Sequence, residues 1–432
     1  MSKEIIRQAY EAWNSAADMR ARRQRCKRYT YGDQWSDLVK DSKGRLRRES
    51  EIVAESGKIP LINNLIRQLV KTVVGRYRTM AAEDGVYKLP SIGNLATENA
   101  LAELDSRLLE EFLISGTAIQ RISDEERFGR RGVWVDNVDF RRFFVNTFSD
   151  PRGWDINLVG MLHDMSFPEL ASRFCNGSSR RAAALRELYS SGSTAAFAPD
   201  ALGLPGADIE FFRSHKAGMC RVIEVWTLDA GSLTDGDDVA FRFRWHCRWL
   251  APDGTLLSEY DSPFGHGSHP FAIKFYPLTD GEVHSFVEDV IDQQRSINRM
   301  VVLIDKIMAT SAKGVLLFPQ KQLLKDFSWQ EVCRRWAQSD GVIPISGNGE
   351  YLPQQVVTNA GNSGAYQLLE LQLKLFEETA GVGDALTGRS SGSTRGAELF
   401  EAQVKNATIA LADIFDTFAS FTALRNEKAL TA

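Results

Sequence analysis

The stretch AYQLLELQLKLFEETAGVGDALTGRSSGSTRGAE, residues 365–398, decides how the last third of the chain is interpreted. Its first half carries apolar side chains at helical spacing on two adjoining faces, with strong helix formers between them. The two sets are Leu368, Leu371 and Leu375, and Leu369, Leu373 and Phe376. The spacing predicts a helix that ends where the glycines begin.

The loop that follows nearly spells a phosphate-binding P-loop, with Gly383, Gly388, Arg389 and Ser390 at the required spacing. A P-loop must follow a buried strand and open a helix, so that backbone N–H groups face the phosphates. Here a helix precedes the loop, arginine replaces the lysine, and no Walker-B strand is recognisable. The pattern favours a flexible loop between two helices over a nucleotide site, and an ordinary linker remains an alternative.

The bulk composition is that of a globular protein. The chain has 432 residues, 43% hydrophobic and 25% charged, and a formal net charge of −4. It contains no apolar run near the length of a membrane span, and the charged N-terminus does not resemble a signal peptide. The five cysteines are scattered and the six histidines show no ligand spacing, so we expect reduced thiols, no metal and no cofactor.

The segment from Arg20 to Arg48 is strongly basic, with eleven Lys/Arg against three Asp. Such a run forms either a face for nucleic acid or an acidic partner, or the solvated side of a helix and loop. The sequence leaves both interpretations open.

The first 281 residues predict an α+β fold. Apolar periodicity predicts helices over about 4–28, from the Pro-Asn entry at 60–64 to about residue 78, and over about 94–115. The pattern then changes to alternation of large apolar and basic residues around 131–148, 218–228 and 237–260, which is typical of antiparallel strands.

The remaining residues predict helices around a compact insertion. A helix carries Val287, Val290, Gln294, Ile297 and Val301 on one stripe. GVLLFP and GVIPIS are expected to be short strands framing residues 313–360, and the helix over 364–380 follows. A last helix is expected from about Arg395 to Lys428, with a stripe of Leu411, Ile414, Phe415, Phe418, Phe421 and Arg425. Its length suggests a spine or an inter-subunit wall.

In order and spacing, four stretches resemble the portal proteins of tailed double-stranded-DNA bacteriophages. They are YGDQW with GKIPLINNLIRQLVKTVVGRYR, VNTFSDPRGWDINLVGMLHDMSFPEL, HPFAIKFYP with DVIDQQRSINRMV, and ETAGVGDALTGRSSGSTRGAELFEAQ. The resemblance covers nearly the whole chain. It implies a wing at 1–281, a first stem helix at 282–312, a clip at 313–360, a second stem helix at 361–382, a tunnel loop at 383–394 and a long helix at 395–432. Family members usually continue beyond this helix with further wing segments and a crown, whereas this sequence stops at Ala432, so a crown is not expected.

The same resemblance implies a function. Portals form a homododecameric ring at one capsid vertex, assembled in the host cytoplasm, through which double-stranded DNA passes during packaging and ejection. The implied partners are the terminase large subunit, head-completion or tail adaptor proteins, and the major capsid or scaffolding protein. Contact with DNA is transient and independent of sequence. No enzymatic activity, cofactor or membrane is implied.

Three groups of candidate site residues follow. The tunnel loop offers Arg389 and several hydroxyls for weak contacts with phosphate. The stem offers an acidic wall that repels DNA. Many fixed cations would instead hold the duplex and stop its passage. The tunnel-loop candidates are Asp384, Thr387, Arg389, Ser390, Ser391, Ser393, Thr394 and Arg395, and the stem candidates are Glu370, Lys374, Glu377 and Glu378. The clip candidates for partner docking are Lys321, Lys325, Trp329, Arg334, Arg335 and Trp336. Each of two groups has a structural alternative. Arg389 could be a surface arginine paired with Asp384. The clip residues could be a solvated face over two core tryptophans.

Two other classes of protein remain possible on the sequence alone. A nuclease or phosphotransferase needs clustered carboxylates, and TDGDD at 234–238 is the best cluster, although a hairpin turn explains it. Another head–tail adaptor or minor capsid protein would share the composition. The size and symmetry of the assembled particle separate the latter from a portal.

Overall fold

The structure is a computed structural model that describes most of the chain. The described residues are 2–55, 57–127, 129–190, 204, 206–235, 238–311, 315–320, 323–324, 327–337, 343–345, 352–356, 362–382, 409 and 411–432. At 190, 231–235, 238–242, 309–311, 315, 337, 355–356 and 362–363 only the backbone is described. The chain folds into two compact units. Unit 1 comprises 1–33, 64–291 and 378–432, and unit 2 comprises 34–63 and 292–377.

Helices and strands alternate irregularly along the chain. The helices are α1 Ser2–Ser15, α2 Ala17–Tyr31, α3 Glu49–Glu55, α4 Leu65–Glu83, α5 Gly93–Glu98, α6 Leu101–Ser115, α7 Phe167–Phe174, α8 Ser179–Ser190, α9 Ile209–Phe212, α10 Ile291–Ser311, α11 Trp329–Ala337, α12 Asn362–Ala380 and α13 Ala412–Leu430. The strands are β1 Leu38–Lys40, β2 Leu46–Arg48, β3 Thr117–Arg127, β4 Arg130–Asn137, β5 Phe143–Val145, β6 Leu158–Ser166, β7 Met219–Asp235, β8 Asp238–Leu250, β9 Leu256–Asp261, β10 Phe271–Phe275, β11 Pro277–Thr279, β12 Glu282–Val283, β13 Val315–Leu317 and β14 Gln354–Val356.

Unit 1 is built on antiparallel sheets, as the alternating sequence predicts. Its largest sheet has the order β5-β6-β7-β8-β9, and a three-stranded sheet has the order β10-β3-β4. The register pairs Leu158 with Thr227 at one end of β6 and Ser166 with Met219 at the other. Helices and antiparallel sheet in one unit make the fold α+β.

The five-stranded sheet is covered on both faces. On one face α1 contributes Ile6 and Trp13 to a core that includes Phe144, Ile223 and Val225. The opposite face contributes to a core that contains α7 and α8 and the β10 strand. Because successive strand residues point to opposite faces, this two-sided burial explains why β6 and β7 are apolar on both faces.

Gly160 on β6 marks the closest approach within this sheet. A Cβ at this position would lie 2.1 Å from the carbonyl oxygen of Glu224 and 2.3 Å from the ring of Phe144. No other residue fits without displacing the β6–β7 backbone.

Two predicted helices are each broken in two. The helix predicted over 4–28 stops at Ser15, because the carbonyl of Trp13 accepts from Ala16 N and from Arg20 Nη1 at 2.5 Å instead of continuing the helical ladder. The helix predicted over 94–115 breaks at Asn99. The Asn99 side chain bonds the β4 backbone at Val133 and Val135, and Ala100 has φ 49°. A local arginine-to-carbonyl bond overrides helical periodicity at the first site, and hydrogen bonds to a strand distant in sequence override it at the second.

Unit 2 departs from the prediction within the compact insertion. GVLLFP contains strand β13 as predicted, and its antiparallel partner is β14. The described residues of GVIPIS, 343–345, form no strand. Pro344 lies among them, and proline lacks the N–H that a sheet ladder requires.

The last helix is described from Ala412, with Leu411 as its N-cap at φ −100° and ψ 0°. The described helix therefore begins at that point rather than continuing through it from Arg395. Residues 395–408 and 410 lie outside the described residues. The predicted stripe is correct, since Leu411, Ile414, Phe415, Phe418, Phe421 and Arg425 are buried. This part of the helix packs on β10 and β3 within unit 1, so the described part lies in a core rather than forming a free-standing spine.

Candidate DNA channel and protomer-contact site

Helix α12 presents three different faces. Leu369, Leu373, Phe376 and Ala380 are buried or partly buried, as one predicted stripe requires. The second predicted stripe is exposed: Leu368, Leu371 and Leu375 have 39%, 50% and 37% of their surface accessible. The charged side chains occupy the third face and are exposed, namely Glu370, Lys374, Glu377 and Glu378.

An exposed leucine stripe beside an acidic face is unusual for a helix of an isolated protomer. Apolar residues at helical spacing normally cover a core, and contiguous exposed apolar surface marks an interaction site. The arrangement fits a helix whose leucines contact another molecule and whose carboxylates remain in water. Tyr366 Oη also contacts Met308 Sδ of α10 at 3.1 Å, which ties the two helices of unit 2.

The clip candidates are only partly described. Lys321 and Lys325 lie outside the described residues. In α11, Glu331 accepts from Arg334 at 2.7 Å and from Arg335 at 3.0 Å. These bonds, that from Arg334 foremost, hold the pKa of Glu331 below its ordinary value. The basic character expected for this surface is therefore reduced by Glu331.

The aromatic side chains of the same segment lie at the surface. Trp329 has 44% of its surface exposed and meets Phe318 edge to face at 5.9 Å, while Trp336 is half-buried. The Arg335 guanidinium lies 4.8 Å from the centre of the Phe327 ring. Exposed tryptophan and arginine together are the side chains that dominate protein contacts, so the docking interpretation stays open.

The tunnel-loop candidates fall outside the described residues. These are Asp384, Thr387, Arg389, Ser390, Ser391, Ser393, Thr394 and Arg395. The structure does describe the two attachment points of the segment. Helix α12 ends at Ala380, followed by Gly381 at φ 63°, and α13 begins at Ala412.

A polar cluster that the sequence did not predict connects α10 to the first segment of unit 2. Asn298 Nδ2 donates to Gln34 Oε1 at 2.6 Å, and Gln294 Nε2 donates to the carbonyl of Asn63 at 2.7 Å. Both side chains of α10 are buried. The available signal was Gln294 itself, a polar residue inside an apolar stripe with Asn298 four positions on.

An ion-pair cluster strengthens the same connection. Buried Glu49 at the start of α3 accepts from Arg295 Nη2 at 3.0 Å and from Arg299 Nη2 at 2.5 Å. Because the three charged groups are partly desolvated and hydrogen-bonded, removing Glu49 would leave two guanidinium groups without their carboxylate. Residues 34–63 are thus held on α10 by hydrogen bonds and charge.

The basic segment from Arg20 to Arg48 is not a single nucleic-acid face in one unit. Its first part belongs to unit 1 and its second part to unit 2. Arg23 pairs with Glu111, Arg45 with Asp41, and Arg47 with Glu51 and Glu55. Ion pairing of this kind favours the structural interpretation of the run.

Thr234, Asp235 and Asp238 of the TDGDD cluster belong to the paired ends of β7 and β8, and residues 236–237 lie outside the described residues. Asp235 closes β7 and pairs in register with Asp238, the first residue of β8. Across the described residues no group of three or more His, Cys, Asp or Glu has the placement to hold a metal ion. The search of those residues for a helix able to cross a bilayer also finds none.

The fold and these surfaces together define a class: an α+β protein in which two helices flank a small strand pair and expose apolar surface for association. Comparison with known families then identifies it. The family model of the phage P22-like portal protein matches residues 213–432, about half of the chain. The chain belongs to this family. A search of curated proteins finds no match.

The function of this chain follows from its family. The chain is a phage portal protein, and membership implies an oligomeric ring, a conduit for DNA, and docking of packaging proteins. It also implies interaction with the phage capsid and terminase and a place at the capsid vertex. The family is structural rather than enzymatic.

Proposed function

We propose that α10 and α12 are the two stem helices of a homododecameric portal ring, within residues 282–312 and 361–382, and that 313–360 is the clip. The antiparallel β13–β14 pair carries this proposal. It joins the chain just after α10 to the chain just before α12, so that the insertion leaves and returns at one place. Residues 1–281 then form the wing and 395–432 the helix after the tunnel loop.

The exposed leucines of α12 are the contact between neighbouring protomers. Leu368, Leu371 and Leu375 form a stripe that a ring would cover at every interface. Burying three leucines stabilises each interface by a few kcal/mol, at about 25 cal/mol per Å² of apolar surface removed from water. Ring closure repeats this gain in every protomer.

The charged face of α12 lines the channel. Glu370, Glu377 and Glu378 outnumber Lys374, and all are exposed. A negative wall repels the phosphate backbone and therefore does not hold the duplex. The tunnel loop at 383–394 adds exchangeable contacts through Arg389 and its neighbouring hydroxyls, which position DNA without reading its bases.

The docking surface is the α11 segment, with Trp329 and Arg334 at its exposed side. Terminase large subunit would occupy it during packaging and head-completion or tail adaptor proteins afterwards. The support is chemical: an exposed tryptophan beside guanidinium groups is the composition of an interface hot spot. The wing would meet capsid or scaffolding protein while the ring assembles in the host cytoplasm.

The test is imaging and native mass of purified protein, with variants on two faces. Wild type should form annular particles with a bore of DNA width. Leu371→Asp should abolish rings, whereas Leu46→Asp, a control leucine outside α12 that is also exposed, should leave them intact. A loop variant with Thr387, Arg389 and Ser390 changed to alanine should form rings but alter the length of packaged DNA. Monomers under all assembly conditions would overturn the proposal.

A further inference from the structure

Strands β6 and β7 of unit 1 have an open cavity at each end. The first cavity, of about 530 Å³, is lined by Phe167, Tyr189, Phe212 and the start of β7. The second, of about 850 Å³, is lined by residues of α1 and by Leu158 and Thr227. Since β6 runs from Leu158 to Ser166, the two cavities lie about 26 Å apart along the strands.

The first cavity is basic. Its lining contains no carboxylate. It contains four cations, which are Arg186, Arg213, Lys216 and Arg221. Arg221 pairs with Asp164 at 3.1 Å. Within the described part of the chain, no carboxylate pairs with Arg186, Arg213 or Lys216. The apolar floor is formed by Phe167 and Phe212, so this basic end joins positive charge to an aromatic surface.

The second cavity is acidic. Its lining includes Glu4, Glu11 and Asp229, with Arg248 as its cation. Arg248 pairs with Asp229 at 2.6 Å and with Glu259 at 3.7 Å, and Arg7 bridges Glu4 and Glu11. The four carboxylates thus outnumber the two guanidinium groups. Ile5, Ala12 and Leu158 supply apolar surface at this acidic end.

We propose that the basic end of one protomer contacts the acidic end of the next, so that unit 1 makes a head-to-tail contact around the ring. The inference rests on the proposed ring. A ring with more than two copies requires a heterologous interface, in which two different surfaces of one chain meet. Two ends of one sheet with opposite charge and apolar floors meet that requirement. Opposite charge also favours contact between a basic end and an acidic end, and it disfavours contact between two basic ends or two acidic ends.

The occupant of each cavity is therefore a second copy of this chain. The ring supplies a neighbour to each end in fixed orientation, and the partner's charge complements each cavity. A free anionic ligand at the basic end would leave the acidic end unexplained. One pairing accounts for both cavities.

Charge reversal tests the pairing. The basic-end variant carries Arg186→Glu, Arg213→Glu and Lys216→Glu, which leaves Arg221 as the one lining cation against three carboxylates; the acidic-end variant carries Glu4→Lys and Glu11→Lys. Each alone should need at least about tenfold more protein for half-assembly, because every interface then joins like charges. A chain with all five changes should assemble again. A control with Lys71→Glu and Lys88→Glu, both exposed in unit 1 away from the cavities, should assemble as wild type does.

Mixing distinguishes charge pairing from misfolding. In an equal mixture of the two reversed variants, each opposed pair of ends again has opposite charge, so rings with alternating subunits should form and be resolved by native mass. Reversed variants that assemble like wild type would overturn the inference while leaving the ring intact. Failure of the mixture to assemble would also overturn it. Absence of wild-type rings would remove both the inference and the proposed function.

Discussion

Arg425 and Asp105 form a buried ion pair between α13 and α6, two helices that lie far apart in the chain. Arg425 Nη1 and Nη2 each lie 3.0 Å from a different Asp105 oxygen, and Gln120 Oε1 accepts a third bond. Both charged side chains are at most 1% exposed. Their charges are compensated only as long as both are present, which makes this a point where a single substitution has a large effect.

Arg425→Met should destabilise the protein by about 3–5 kcal/mol, because it leaves the Asp105 carboxylate buried without its cation. Urea unfolding followed by far-UV circular dichroism measures the loss. Arg130→Met is the matched control: Arg130 pairs with Glu98 at the surface, where an ion pair contributes about 0–1 kcal/mol. A cost below about 1 kcal/mol for Arg425→Met would contradict this account.

For single residues, the sequence predicted which side chains are buried better than it predicted which side chains they bond. Helical spacing correctly placed Arg425 on the buried stripe of the last helix. Nothing in the spacing indicated that Asp105 compensates its charge, because the pair depends on how α13 packs against β3 and β10. The Glu49 and Asn298 contacts were missed for the same reason: polar contacts over long sequence separation have no periodic signal.

Strands β7 and β8 extend well beyond the sheet to which they belong. β6 pairs with β7 only from Met219 to Thr227, and β9 pairs with β8 only from His246 to Leu250. Beyond these limits, 229–235 and 238–244 form sheet pairs with each other in the described structure. A two-stranded ribbon is marginally stable by itself, since it has no flanking strand on either edge.

Amide hydrogen exchange should reveal this difference within one element. In unassembled protein, peptides from 229–244 should exchange at least about tenfold faster than peptides from 219–227, because local opening of a ribbon costs less than opening the sheet. Mass spectrometry of pepsin fragments provides the measurement. Residues 159–161 of β6, which pair with both β5 and β7, serve as the internal control. Equal protection along β7 would contradict the argument.

Element type was predictable, and element boundaries were not. The apolar periods and alternations correctly indicated helices such as α4 and α12 and the antiparallel pairing of β7 with β8. The breaks at Ala16 and Asn99 escaped prediction because side-chain to backbone hydrogen bonds decide them: Arg20 donates to the Trp13 carbonyl, and the Asn99 side chain bonds the backbone of β4. The prediction of a strand at GVIPIS was wrong because it ignored Pro344, which lacks the N–H that a sheet ladder requires. Local pattern cannot represent these competing hydrogen bonds.

Acid sensitivity is a property of the whole protein, because several buried groups in unit 1 titrate abnormally. Burial lowers the pKa of His266 to about 4, and it holds the pKa of His269 well below 6.5. Burial also lowers the pKa of His163 despite its bond to Glu224. Burial alone would raise the pKa of Glu224, but Arg121 and His163 outweigh it and hold that pKa well below 4.5.

The melting temperature should therefore fall as pH decreases from 7 to 4. Below pH 6.5 the unfolded chain binds protons at these histidines while the folded chain does not, and below pH 4.5 the same holds for Glu224, so both effects favour unfolding in acid. Differential scanning calorimetry measures the trend. His266→Asn should flatten it between pH 6.5 and 4, whereas His215→Asn, an exposed control, should not. A melting temperature independent of pH would refute the assignment.

For the whole molecule, the sequence was enough to predict the family, but it did not predict the exposure and charge of the surfaces. Order and spacing of four weak motifs indicated a portal protein, which the family match confirms. The exposure of one α12 stripe and the burial of the other could not be deduced, since both are leucine-rich. The opposite charges at the two ends of β6 and β7 come from residues as distant as Glu4 and Lys216, which only the folded sheet brings into relation.

Both attachment points of the segment after α12 belong to unit 1, since Glu378–Ala380 and α13 are part of it. In the proposed tunnel-loop role of this segment, a duplex that drags on it during packaging would pull on one folded body from two sides. Tension then passes to the aromatic cluster of Phe415, Phe418 and Phe421 and to the guanidinium of Arg425. The α13 anchor, rather than the clip, would have to withstand the drag of the genome.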